Sequence, residues 1–112
     1  MDVKSVFDSR KFSSEKLFKV SLFESEKMFC DVYGLSPGQE QKPHAHDGSD
    51  KVYYVVEGCG LFKVGAEVRE VGEKNAVYAP AGVEHSVKND SPANLTLLVF
   101  MMPHPNYVSR KT

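Results

Sequence analysis

The sequence predicts a single all-β domain, antiparallel and barrel-like, with very little helix. Three observations predict it. Apolar residues recur with period two or in short solid runs and rarely at helical spacing. About eight such runs occur, each the length of a short strand. Gly, Pro, Asn and Asp separate them, which is the rhythm of a sandwich or barrel.

In chain order, Lys16 to Phe23 and Met28 to Leu35 read as strands joined across the polar stretch Glu24-Ser25-Glu26-Lys27. Val52 to Val56 is a continuous apolar and aromatic run, suited to a strand covered on both faces. It stops at Glu57-Gly58-Cys59-Gly60, a turn, and Leu61 to Val64 returns beside it. Gly65-Ala66-Glu67 turns into Val68 to Val71, followed by Ala76 to Ala79, Glu84 to Lys88 and Leu95 to Met102. The six prolines, Pro37, Pro43, Pro80, Pro92, Pro103 and Pro105, fall between these strands or at their ends, as a residue without a backbone donor should. Asp8 to Lys16 is read as room for one helical turn. The domain is expected to span 1–112, with a barrel core over about 17–102. The flanking ends are expected to be mobile or to pack between subunits.

Fourteen Lys and Arg against fifteen Asp and Glu leave a formal charge of -1, and the lysines are scattered along the chain. Such a balance offers nothing to a phosphate backbone, so no nucleic-acid partner is expected. Leu95 to Met102 is the most apolar stretch and is far too short to span a bilayer. Met1-Asp2-Val3-Lys4 lacks the cationic and apolar start of a signal peptide, so a cytoplasmic location is expected, with no membrane partner. Cys30 and Cys59 stand in no metal or redox spacing and make no disulfide framework.

Chemistry concentrates at three histidines. His44 and His46 flank Ala45, so on an extended strand both imidazoles point to one face. Imidazole is the commonest protein ligand for transition metals, and two on one face are half of a site. Alone, such a pair is more often a surface feature than a ligand set. His85 follows Pro80-Ala81-Gly82-Val83-Glu84, a turn that sets how the next strand enters.

These segments resemble the two motifs of the cupin family. Gly38, five intervening residues, His44-Ala45-His46 and the closing Gly58 match the first motif. Pro80, Gly82, His85 and Asn89 match the second at every spacing. The second motif's leading glycine is displaced, with Gly72 two positions early and Lys74 in the expected place. The resemblance runs from Gly38 to Asn89, about half the chain. It implies an antiparallel cupin, or jelly-roll, barrel with His44, His46 and His85 as ligands of one divalent transition metal: Fe, Mn, Ni, Cu or Zn.

The family's fourth ligand, a glutamate, is replaced by Lys51, whose ammonium has no lone pair and repels a dication. Asp50 is the candidate fourth ligand, although strand alternation aims it at the opposite face unless a bulge intervenes. The preferred reading is a three-histidine site with open positions, against a degenerate and empty one. Lys51 either faces inward, where it could neutralise a substrate carboxylate, or is a surface lysine; the rarity of buried lysines favours the surface. Tyr53 shares its parity and joins it as a candidate catalytic residue. Tyr53, Phe62 and Tyr78 could line the cavity but are read first as core or wall aromatics. Glu57 is read as a solvated strand end, Cys30 as core, Cys59 as a small turn residue and His104 as part of the tail.

The function expected from this set is metal-dependent enzymology on a small organic substrate, either dioxygenase-like oxidation or isomerase and lyase chemistry. The competing expectations are a non-catalytic small-ligand binding or sensor module and a structural barrel. A homodimer is expected, because Leu95 to Met102 and the N-terminal strands need covering in so small a protein.

Overall fold

Nine strands form, most of them rich in β-branched and aromatic residues, and a computed structural model describes them together with the rest of residues 1–107. Residues 108–112, the end of the expected tail, lie outside the described residues. The strands are β1 (Phe18–Ser25), β2 (Met28–Leu35), β3 (Glu40–His44), β4 (Asp50–Glu57), β5 (Cys59–Val64), β6 (Glu67–Gly72), β7 (Ala76–Ala79), β8 (His85–Lys88) and β9 (Leu95–Met102). A three-residue 3-10 turn at Pro105–Tyr107 is the only helical element among the described residues.

All strand pairings are antiparallel, and they form two sheets. The five-stranded sheet has the order β1-β2-β9-β4-β7, and the four-stranded sheet the order β3-β8-β5-β6. The expected barrel is therefore a jelly roll of two facing sheets, without a closed hydrogen-bonded ring. Between them lies one core. Tyr33, Leu35, Tyr53, Val55, Leu95, Leu97 and Val99 come from the larger sheet, and Phe62 and Val87 from the smaller. Each fully buried aliphatic side chain there contributes roughly 1.5–3 kcal/mol.

The solid apolar run of β9 has a simple cause. It is an interior strand paired with β2 and β4, so both faces are needed. Leu95, Leu97, Val99 and Met101 face the core, while Leu98 and Phe100 face out and are half-buried. The core-facing half of the run is thus covered by its own chain, while Leu98 and Phe100 on its outer half stay half-buried. The N-terminal segment crosses the outer face of this sheet. Val6 packs on Leu22, Cys30 and Val32, and the backbone at Lys11 lies so close to Gly34 that a Cβ there would collide with its carbonyl oxygen. Cys30 is core as expected, and both cysteines are free.

Four further expectations change. β3 is a strand the sequence pattern did not reveal, and it contains Pro43. An edge position and a register shift between Gln41 and His44 explain how proline is accommodated there. The local N-terminal turn lies at residues 6–9, overlapping only the first two residues of the Asp8 to Lys16 segment, and is not helical. Tyr78 is 56% exposed because it pairs with the outward-facing Val52, so it is not a wall aromatic. His104 is buried, with Nε2 2.5 Å from a Glu24 carboxylate oxygen and its ring edge-on to Phe29.

Candidate metal centre

Three imidazoles meet at one end of the sandwich. His44 ends β3 and His85 begins β8, and the two are direct partners across that strand pair. His46 follows two residues after His44, just past the strand end. Ring centroids are 5.0 Å apart for His44 and His46, 4.3 Å for His44 and His85, and 6.1 Å for His46 and His85. One ring nitrogen from each can be chosen so that all three lie within 4.8 Å of one another. The meeting of imidazoles from two strands, which the family resemblance implied, is realised.

Backbone contacts set the tautomers. Nδ1 of His44 lies 2.8 Å from the Lys42 carbonyl oxygen, and Nδ1 of His85 lies 3.0 Å from that of Val83. A carbonyl only accepts, so both Nδ1 atoms carry the proton and donate. Each Nε2 then keeps its lone pair. Nε2 of His85 is buried and has no hydrogen-bond partner, the only such side-chain atom among the described residues. An orphaned acceptor normally costs about 1–3 kcal/mol, and a ligated cation removes that cost. Burial lowers the pKa of all three imidazoles, that of His85 to about 4, so they are neutral and able to ligate at neutral pH. The donor set fits a divalent transition metal.

The turn before β8 holds this geometry. The Gly82 amide donates to the His46 carbonyl oxygen at 2.8 Å, and Gly82 has φ +80°, a conformation other residues rarely adopt. Asp50 Oδ1 accepts from the Ala81 amide at 2.9 Å. Asp50 is exposed at the start of β4, and its carboxylate lies outside the imidazole cluster, as strand alternation without a bulge dictates. Asn89, from the second motif, is fully buried and donates to the carbonyl oxygens of Leu35 and Ala93, which makes it a structural knot.

Lys51 overturns the surface reading. It is 1% exposed, next to the imidazoles, and its Nζ donates to Gln41 Oε1 at 3.2 Å. Tyr53, fully buried, donates its hydroxyl to the same oxygen at 2.8 Å. The ammonium stands 5.4 Å from the Tyr33 ring centroid and 5.0 Å from that of Tyr53. Burial, and then repulsion from Lys19, lower its pKa to about 7 against the opposing pull of Asp31. Burial raises both tyrosines well above the ordinary phenol range, so they stay protonated. Gln41 and Tyr33 escaped the sequence reading. Their signal was slight: a polar residue three before His44 and a tyrosine with the inward parity of β2.

Beside the imidazoles opens a cavity of 420 Å³, lined by His44, His46, Lys51, Tyr33, Gln41 and, at its rim, Lys19 and Lys42. A hollow of 440 Å³ between β6 and β7 lies on residues away from the histidines, so it is no part of this centre. Glu57 is no solvated strand end. Its carboxylate accepts from Arg10 at 3.0 Å and from Thr96 at 2.8 Å, tying the N-terminal segment to β4.

Residues 32–101 match the cupin domain family. The chain belongs to the cupin family. A protein of Thermus thermophilus designated TT1209 has a similar structure, with a TM-score of 0.90 and 43% identity over 92% of this chain and 98% of its own. An uncharacterised protein of Methanocaldococcus jannaschii is 29% identical over 67% of this cupin, which spans only 58% of that relative's length. An oxalate-binding protein of Thermotoga maritima is 23% identical over 77% of this chain and 70% of its own. No helix among the described residues is long and apolar enough to cross a membrane.

Proposed function

We propose that this cupin is a metal-dependent enzyme acting on a small organic molecule in the cavity beside His44, His46 and His85. The observation that carries it is the buried Nε2 of His85, which has a lone pair, no partner, and two further imidazoles beside it. Fe, Mn, Ni, Cu or Zn would supply a Lewis acid and open coordination positions for substrate or oxygen. The protein's own part is preparation. The Lys42 and Val83 carbonyls orient two ligand rings, and Gln41 holds Lys51 and Tyr53 at the cavity wall. Oxidation by O₂ is the leading reaction class, followed by isomerisation or elimination.

The test is metal analysis of protein purified without chelators, followed by oxygen uptake with thiols, diketones and catechols. About one metal per chain and turnover of one panel member support the reading. No metal binding by the wild type rejects it. Full metal loading with no turnover favours the second reading, a ligand-capturing module, for which the oxalate-binding relative is the specific support.

A further inference from the structure

We infer that the cavity selects a small carboxylic acid, and that Lys51 is the positioning residue that seats its carboxylate and turns the rest of the molecule toward the imidazoles. The inference deepens the enzymatic reading of the same site and rests on it.

The lining of the 420 Å³ cavity brings Lys19, Lys42 and Lys51 together with two histidines, and no aspartate, glutamate or arginine is in it. Lys51 is the unusual member. Its side chain is almost wholly buried, yet no carboxylate among the described residues lies within 4 Å of its Nζ. An ammonium has three donors, and only one finds a side-chain acceptor, Gln41 Oε1 at 3.2 Å. That acceptor is shared with Tyr53. A buried, underpaired cation is costly unless something anionic completes it.

The surrounding chemistry chooses the anion. The ammonium lies against the rings of Tyr33 and Tyr53, with Phe29 and Met101 also lining the cavity, so an apolar or planar acid is accommodated. A single buried point charge on a short donor set suits a carboxylate. Phosphate sites commonly use arginine forks, and no arginine lines this cavity. Lys19 and Lys42 at the rim add a positive approach path.

The experiment is calorimetric titration of the full chain, both nickel-loaded and chelator-stripped, with malonate, its neutral analogue malonamide, and inorganic phosphate. Malonate is expected to bind at least about tenfold more tightly than malonamide in both forms. Lys51→Met is expected to abolish that preference while leaving the circular dichroism spectrum and nickel stoichiometry unchanged. Lys51→Gln, a second neutral variant, guards against a folding defect and is expected to behave alike. Equal affinity for malonate and malonamide in the wild type overturns the inference. So does a preference that survives both substitutions, or phosphate binding tighter than malonate. Absence of nickel binding with the malonate preference intact would reject the metal reading alone, so the two failures are separable.

Discussion

His44 and His85 face one another as direct cross-strand partners of β3 and β8, with ring centroids 4.3 Å apart and each Nδ1 committed to a backbone carbonyl. Two strands of one sheet therefore aim two lone pairs at a shared point. Replacing one of them should disable the site without disturbing the fold. His85→Ala is expected to lower metal affinity by more than about a hundredfold, because it removes a ligand and not merely its support. Equilibrium dialysis with elemental analysis measures this, and a variant that keeps wild-type stoichiometry would contradict the assignment.

Lys51 sets a pH dependence of stability. Its pKa is about 7 in the folded chain and about 10.4 in an unfolded one. Between these values the unfolded chain binds more protons, so unfolding free energy rises with pH across this window and falls as pH drops from about 10 to 7. Urea denaturation of chelator-stripped protein at pH 7.0 and 9.5 should show the wild type gaining stability relative to Lys51→Met. That variant should be the more stable of the two at pH 7.0, by on the order of a few kcal/mol. Parallel stability curves for the two proteins would sink this account.

Much of the site was legible because its spacing is local. The spacing of His44 and His46 pointed to one face, although His46 lies just past the end of β3, and the turn from Pro80 to Gly82 leads into His85. What escaped depends on register between distant strands. Parity joined Lys51 to Tyr53, and Tyr53 in the core would have turned Lys51 inward. The general rarity of buried lysines argued the other way and prevailed wrongly. Gln41 was hidden for another reason. The register shift between Gln41 and His44 breaks counting by twos, so both can reach one cavity. For Leu95 to Met102 the apolar run was read correctly, but a run cannot tell whether its cover comes from its own sheets or from another chain.

Pairing of two copies is still expected, with the reason narrowed from the whole run Leu95 to Met102 to its outward-facing half. The outer face of the five-stranded sheet carries Val52, Tyr54, Leu98 and Phe100 in cross-strand register, all half-buried. The N-terminal segment packs over the neighbouring part of that face. A second copy would cover this row. Gel filtration with light scattering at micromolar concentration should give a dimer, and Tyr54→Lys should shift it toward monomer with its circular dichroism spectrum unchanged. A wild-type monomer would refute the expectation.

Lys74 is the one described non-glycine residue with positive φ, at 67°, and it occupies the place where the second motif expects glycine. A Cβ in the left-handed region costs roughly 1–2 kcal/mol, which glycine avoids. The backbone here is pinned, since the Lys74 amide donates to the Val55 carbonyl oxygen at 2.9 Å and Val55 donates to that of Asn75 at 3.0 Å. The turn therefore cannot relax its strain without losing the contact between the β6–β7 connection and β4. Lys74→Gly removes the strain but adds freedom to the unfolded chain worth about 0.5–1 kcal/mol, so a net gain of up to about 1.5 kcal/mol is expected. The same change to alanine keeps the Cβ and should give no such gain. Thermal melts of the two variants decide it: equal midpoints for glycine and alanine would mean that the left-handed turn carries no strain.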